Sequence, residues 1–184
     1  DKMTDSGYQS GEVGFSFGTS FEQYDNLFFS PSFKTVAEKL ETNSLASSSI
    51  KKQEGNYFTS TIGYAFDYDL RNQKYQTSDG FRSKFFQTLP VISDSNTITS
   101  GYFFDKYLTI SETTGSVGFF LKNAVGLSDD VRVSERIGLP RKRLRGFKPG
   151  RIGPVDAGDD HVGGNYAAAL SLTTNLPMIA PNLQ

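Results

Sequence analysis

The sequence has no cysteine and no tryptophan, and its single histidine is His161. Without cysteine, the chain has neither a disulfide framework nor a thiolate metal site. An excess of one charge is also missing, because 19 Lys and Arg residues stand against 20 Asp and Glu residues in 184. This balance argues against a nucleic-acid binder whose affinity rests on overall charge. The length suits one domain, or one piece of a larger domain.

Long hydrophobic runs are absent as well. No stretch approaches the roughly 18 to 20 apolar residues that a membrane-spanning helix needs, so a helical membrane protein is excluded. A membrane β-barrel is not excluded, because its strands alternate apolar and polar residues and keep the mean hydropathy low, here −0.40. Residues 1–5 lack the features of a signal peptide. We therefore expect either a cytoplasmic protein or a chain that begins partway through its gene product.

Glycine and aromatic residues are frequent, with 18 Gly, 16 Phe and 9 Tyr, and this composition favours β-structure. Large apolar residues alternate with small or polar ones over several segments, which is typical of strands with one apolar face. Asp67, Arg82 and Asp105 each fall on the polar side of this alternation. We count about seven strands. The regular ones lie at residues 11–18, 57–69, 80–90, 97–109, 117–121 and 166–176. A less regular strand is predicted at 26–38, where helix is the rival for Thr35–Leu40 because Ser32 precedes that segment.

The connections between these strands differ in length. They are long at 39–54, medium at 70–78, short at 91–96 and 110–114, and very long at 125–162. Successive connections of an up-and-down barrel alternate between its two rims, so both long loops are predicted on the same rim. A loop as long as 125–162 is unusual in a compact domain, which favours a functional role.

The longest loop is strongly basic. Between residues 131 and 151 it holds eight basic residues and one acid, Glu135, which leaves 11 basic and 19 acidic residues in the rest of the chain. The basic residues are Arg132, Arg136, Arg141, Lys142, Arg143, Arg145, Lys148 and Arg151. Such a loop is either a solvated charge run or a segment that docks onto its own protein, onto lipopolysaccharide or phospholipid headgroups, or onto nucleic acid.

This loop also carries an ordered set of motifs. They are Leu144, Arg145, Gly146 and Phe147, then Ile152, Gly153 and Pro154, then Asp156, and finally Gly163, Gly164 and Asn165. The succession resembles the signature of the outer-membrane protein assembly factors, the BamA-type barrels of bacteria and their mitochondrial sorting-and-assembly relatives. Residues 75–80 look like the turn that precedes the signature in that family, so the resemblance covers about residues 55–177.

The resemblance implies an all-β fold, namely part of an antiparallel up-and-down transmembrane β-barrel whose long loop folds back into the lumen. Arg145 at the tip of the loop could then pair bidentately with a carboxylate on the inner wall. Gly146 would permit a tight turn, and Phe147 would supply a packing anchor. The family's acidic partner for the arginine lies on later strands, so here it is expected beyond Gln184.

The resemblance further implies a bacterial outer-membrane protein that folds and inserts other β-barrels without ATP. Its partners would be nascent outer-membrane proteins, lipid and lipopolysaccharide, with assembly lipoproteins and periplasmic chaperones reached through POTRA domains. A family member carries a signal peptide, POTRA domains and a sixteen-strand barrel. We therefore expect residues 1–184 to be an internal piece of the C-terminal barrel domain, with the POTRA domains and the closing strands outside this chain.

Three alternatives stay open. A two-partner secretion translocator or an autotransporter-assembly homologue shares an arginine-glycine-aromatic loop but tends to have tyrosine at the last position. A soluble β-sandwich binding module would explain the alternation but not the basic loop. An enzyme is the weakest reading, because Asp159, Asp160 and His161 lack a second histidine or a cysteine to complete a site. We expect no catalytic residue, cofactor, metal or nucleic-acid partner.

Overall fold

The computed structural model describes residues 8–44, 46–110, 113–148 and 150–175. These residues form one antiparallel sheet of eight strands and one short helix. In chain order the elements are β1 (Tyr8–Gly18), β2 (Phe21–Tyr24), β3 (Leu27–Thr42), α1 (Ser48–Lys51), β4 (Gly55–Asp69), β5 (Gly80–Ser93), β6 (Thr97–Ile110), β7 (Thr113–Gly126) and β8 (Tyr166–Asn175). None of the helical residues in the described ranges forms a segment long and apolar enough to cross a membrane.

The strand order is β1-β3-β4-β5-β6-β7-β8, and β2 lies beside β3 in line with β1. β1 pairs with residues 32–42 of β3, whereas β2 pairs with residues 27–29. The break between them lies opposite Pro31, which has no N–H to donate and only accepts a hydrogen bond from the Thr19 N–H at 3.2 Å. The chain therefore occupies seven positions of an up-and-down sheet, as predicted, but β2 was missed.

β3 is a strand over its whole length, so the rival helical reading of Thr35–Leu40 was wrong. Its residues pair with β1 on one side and β4 on the other. The loop predicted at 39–54 begins only after Thr42, where β3 ends. The strand continues past its predicted end because Leu40 packs in a buried cluster at the rim and is 1% exposed. The short helix α1, capped by the Ser47 side chain, lies inside the predicted loop. The predicted last residues of the final strand, 176 and 177, lie outside the described residues.

The two faces of the sheet differ in polarity. One face, called here the outer face, carries large apolar side chains that are exposed even on central strands, as with Ile62 at 48% and Phe119 at 36%. Its exposed members include Val13, Phe15, Phe17, Phe58, Ile62, Phe66, Phe85, Val117, Phe119, Leu121, Leu170 and Leu172. No second sheet covers this face in the described part of the chain, so the sandwich alternative lacks its partner layer.

The opposite face, called the inner wall, is mostly polar and charged, apart from a row of aromatic rings formed by Phe86, Phe103 and Phe120. Its residues include Lys34, Glu38, Thr59, Thr61, Asp67, Arg82, Lys84, Thr99, Asp105, Gly118, Lys122 and Ser171. Arg82 pairs with Asp67 on the neighbouring strand through Nε and Oδ1 at 2.8 Å. The predicted alternation on β4, β5 and β6 is confirmed, with Asp67, Arg82 and Asp105 on this one wall.

The two long connections, 43–54 and 127–165, lie at the same rim, as the parity of the connections predicted. The Ser47 hydroxyl donates to the Asp156 carboxylate, and the Val133 N–H donates to Gln53 Oε1 at 2.8 Å. The buried apolar residues concentrate at this rim, in two clusters. One contains Leu40, Ala46, Ile50, Val133 and Val162, and the other contains Ala124, Val131 and Ile137.

Candidate functional site

The start of the basic loop, residues 131–137, is packed against the inner wall and is called here the loop root. Val131, Val133 and Ile137 are between 1% and 4% exposed. Ile137 and Gly164 exchange backbone hydrogen bonds of 2.7 and 3.0 Å, which join the root to the last part of the same loop. The root is therefore held by apolar burial and by backbone pairing.

Arg132 is the central charged group of the loop root. Its side chain is 6% exposed, and its guanidinium lies over the ring of Tyr57 at 3.8 Å from the centroid. It forms ion pairs with Glu135 at 3.1 Å and with Glu38 of β3 at 3.6 Å. The two carboxylates and the aromatic face compensate the positive charge of the guanidinium, which would otherwise be costly to bury.

The two carboxylates have further partners on the wall and its rim. Glu135 Oε2 accepts hydrogen bonds from the hydroxyls of Ser95 at 2.5 Å and Thr97 at 2.7 Å. Glu38 Oε1 accepts from the Ser10 hydroxyl of β1 at 2.7 Å. The root is thus tied to β1, β3, β4 and β6 through one polar network.

Residues 141–148, called the loop tip, meet the inner wall through Arg143. The guanidinium donates to Asp105 Oδ1 at 2.9 Å and Oδ2 at 3.2 Å, and to the Ser171 hydroxyl at 3.2 Å. The side chain of Arg143 is 13% exposed. A backbone bond from its N–H to the Pro140 carbonyl, 2.9 Å long, forms the turn that directs it at the wall.

The motif that the sequence singled out begins one residue later. Leu144 is half-buried, while Arg145, Gly146 and Phe147 are exposed, Phe147 at 58%. Gly146 has a φ of 87°, a left-handed conformation that favours glycine. Within the described residues no ion pair involves Arg145. The wall carboxylate Asp105 is paired with Arg143, and the role of Arg145 stays a prediction.

Asp156 shapes the turn after the tip. Its Oδ1 accepts from the N–H groups of Gly158 at 2.9 Å and Asp160 at 3.1 Å, and its Oδ2 accepts from Ser47. Burial raises the pKa of the Asp156 carboxyl, but these hydrogen bonds together outweigh it and place the pKa below its usual 3.8. Asp156 therefore acts as a structural link between the two long connections.

The other predicted motif residues lie near the loop root rather than the tip. The Pro154 carbonyl accepts from the Val162 N–H at 3.2 Å, and the Asn165 carbonyl accepts from the Ala124 N–H at 2.7 Å. Gly153 and Gly163 have positive φ, and Gly164 pairs with Ile137. Ile152 is half-buried. The structure thus places Pro154, Gly163, Gly164 and Asn165 near the root, whereas Arg145 and Phe147 are exposed in the tip.

Sequence reasoning missed the residues that make the wall contacts. Arg132 and Arg143 were two of eight basic residues with nothing local to distinguish them, and their partners are distant in sequence. The strand alternation did assign Asp105 to the polar face. It could not predict that Arg143 is the partner of Asp105. Among the described residues, no three His, Asp or Glu side chains are grouped to hold a metal.

A single antiparallel sheet with an apolar outer face, a polar inner wall and a basic loop turned onto that wall defines the wall of a membrane β-barrel. Residues 1–182 match the Omp85 superfamily domain, and the chain belongs to the Omp85 superfamily. The structure is similar to the crystal structure of BamA from Haemophilus ducreyi lacking POTRA domains 1-3, with a TM-score of 0.77 and 19% identity. That likeness covers 95% of this chain and 39% of the other, so the chain spans about two fifths of its length. No curated protein sequence matches the chain.

Proposed function

We propose that this chain is part of the barrel domain of a bacterial outer-membrane protein assembly factor, which folds and inserts other β-barrel proteins without ATP. The superfamily match and the BamA-like fold support this proposal. So does the order of the loop motifs, from Leu144–Phe147 through Ile152–Pro154 to Gly163–Asn165. In this role the protein is a folding factor and not an enzyme.

The observation that carries the proposal is the position of the basic loop. Its root and its tip both contact the inner wall, the root through Arg132 and the tip through Arg143. A loop that only improved solubility would leave these guanidinium groups in water, where ion pairs contribute little. The proposed task of the loop is to brace the lumen. Arg145 and Phe147, exposed here, then contact barrel strands outside this chain, which supply the acidic partner of Arg145.

The remaining features follow from the same proposal. The apolar outer face contacts acyl chains of the outer membrane, and the rim that carries both long connections faces the cell exterior and its lipopolysaccharide. Residues 1–184 lie in the C-terminal barrel domain of a longer protein with POTRA domains, through which it meets lipoproteins and chaperones. Its substrates are nascent β-barrels, which pair with a barrel seam outside this chain by β-augmentation.

The test uses the full-length protein that contains this chain, reconstituted in phospholipid vesicles. A urea-denatured outer-membrane β-barrel is added without ATP, and its insertion is followed by heat-dependent gel mobility and protease protection. We expect faster insertion than into empty vesicles. Arg145→Ala should slow it, whereas Arg141→Ala, a matched removal of an exposed charge in the same tip, should not. Equal rates with and without the protein would overturn the proposed assembly function.

A further inference from the structure

Arg143 binds to a site on the inner wall, called here the seat, that Asp105, Gly118 and Ser171 form on three adjacent strands. Asp105 of β6 is the register partner of Gly118 of β7, which in turn is the partner of Ser171 of β8. The three residues therefore form one row across the sheet, with a carboxylate at one end, a hydroxyl at the other and no side chain between them. The guanidinium of Arg143 contacts both ends of this row.

Gly118 is what leaves room for the guanidinium. A Cβ atom at this position would lie 2.2 Å from Arg143 Nη1, 2.6 Å from Asp105 Oδ1 and 2.6 Å from Ser171 Oγ. Such distances are far inside van der Waals contact, so even alanine would push the guanidinium away from the wall. The Ser171 hydroxyl also donates to the Gly118 carbonyl at 3.3 Å, which turns its lone pairs toward Arg143.

The seat selects one of several neighbouring charges. Arg141, Lys142 and Arg145 are exposed, while the side chain of Arg143 is 13% exposed and forms an ion pair with Asp105 of the wall. Its planar fork meets both carboxylate oxygens of Asp105, a geometry that a lysine ammonium cannot reproduce. The seat thus fixes the tip two residues before Arg145.

We propose that Arg143, seated on Asp105, Gly118 and Ser171, is the positioning residue that holds the loop tip in the lumen and thereby presents Leu144–Phe147 to the rest of the barrel. The proposal rests on the proposed function, because the motif matters only if the loop braces an assembly barrel. Arg143 acts through the motif and does not itself contact a substrate. Its loss should therefore displace the tip while the loop root stays in place.

The first test measures the position of the tip without any activity. The chain has no cysteine, so, once any cysteine outside it is replaced by serine, Lys142→Cys in the tip and Ile110→Cys at the end of β6 can be spin-labelled in the full-length protein in vesicles. Pulsed electron paramagnetic resonance should give one narrow distance distribution. Arg143→Gln should raise the population of displaced tips by about tenfold, as expected for loss of a charge-assisted pair. Arg141→Gln is the matched control and should leave the distribution narrow.

Gly118→Ala provides a second, independent variant because it removes no charge. It should broaden the distance distribution as Arg143→Gln does. Gly138→Ala is its control and should leave the distribution narrow, because a Cβ added at Gly138 meets nothing within 4 Å. Arg143→Lys should give an intermediate width. A narrow distribution in both Arg143→Gln and Gly118→Ala, with heat-dependent gel mobility showing folded barrels, would overturn the proposal that the seat holds the tip.

The second test measures insertion of a denatured β-barrel by the same variants. Arg143→Gln and Gly118→Ala should slow insertion together, and to the same extent as Arg145→Ala, because all three disable one motif. Displaced tips with an unchanged insertion rate would overturn the positioning role while leaving the assembly function intact. If the unmodified protein inserts no β-barrel, the proposed function fails, and the distance measurement still decides whether the seat exists.

Discussion

The loop root and the loop tip belong to one basic segment, yet they are held to the wall in different ways. The root buries Val131, Val133 and Ile137 and encloses Arg132 between two carboxylates and an aromatic ring. The tip reaches the wall through Arg143, and most of its other residues are exposed.

This difference implies a division of stability along the loop. Local opening is easiest where few apolar contacts are buried, so the tip should leave the wall far more readily than the root. The buried root then keeps the loop at its rim, while the more exposed tip, held through Arg143, can be positioned or released. The following predictions test this division, beginning with the largest expected effect.

Replacing Arg132 by Leu should cause the largest loss of stability. The change leaves Glu38 and Glu135 buried without their shared cation, and loss of one member of a buried ion pair costs about 3 to 5 kcal/mol. Urea unfolding of the full-length protein in vesicles, followed by heat-dependent gel mobility, measures this loss. Arg136→Leu is the control, because its ion-pair partner Asp130 is 72% exposed. The change also removes the hydrogen bond from Arg136 Nε to the Val131 carbonyl, so it should cost about 1 kcal/mol. Equal losses would contradict a buried network at the root.

Truncating Ile137 to Ala should come next. Ile137 is 4% exposed, and removing a buried isoleucine side chain costs about 2 to 5 kcal/mol, with the lower half of that range expected at a rim. The same unfolding experiment measures the change. Val155→Ala, at a position 49% exposed, should be nearly neutral. If both substitutions had the same small effect, apolar burial would not be what holds the root.

Limited trypsin digestion of the unmodified protein should cleave the tip before the root. We expect cleavage after the exposed Arg141, Lys142 and Arg145 before any after Arg132 or Arg136, because only the root is buried. In the Arg143→Gln variant, cleavage at the tip should accelerate several-fold while the root stays resistant. Mass spectrometry of the early fragments identifies the sites. Early cleavage at Arg132 would reverse the proposed order of stability.

The smallest effect should be a pH dependence at Asp156. The pKa of this carboxyl is below its usual 3.8, so its ionised form is favoured in the folded chain. The resulting stability is fully present above pH 3.8 and is lost as the pH falls through the lower folded value. Hydrogen exchange of residues 156–162 should therefore become less protected between pH 5 and pH 3. Asp156→Asn should abolish this change, and an undiminished pH effect in that variant would assign it to another group.

Most of the fold was predictable from the alternation of residue types. The pattern identified six regular strands, put Asp67, Arg82 and Asp105 on one face, and predicted that both long connections share a rim. It failed where tertiary contacts override local preference. β2 is too short to show a pattern of its own, and β3 extends past the predicted end because Leu40 is buried at the rim.

The candidate site was predictable only in part. The charge run and the motif succession directed attention to the loop that contacts the inner wall, because both are properties of contiguous residues. They could not predict that Arg143 rather than Arg145 contacts the wall. That contact depends on Asp105 and Ser171, which lie 38 and 28 residues from Arg143 along the chain. Gly118 is one of 18 glycines, and only the register of β6, β7 and β8 shows why that one needs to be a glycine.

The sequence by itself determined the all-β fold, the two unlike faces of the sheet, the neutral overall charge and the family signature. Each of these follows from the order of residue types along one strand or one loop. The tertiary structure alone decided which arginine reaches the wall, which acids surround Arg132 and where Asp156 links the two long connections. Those choices arise from strand register and rim packing, which bring together groups that the chain keeps far apart.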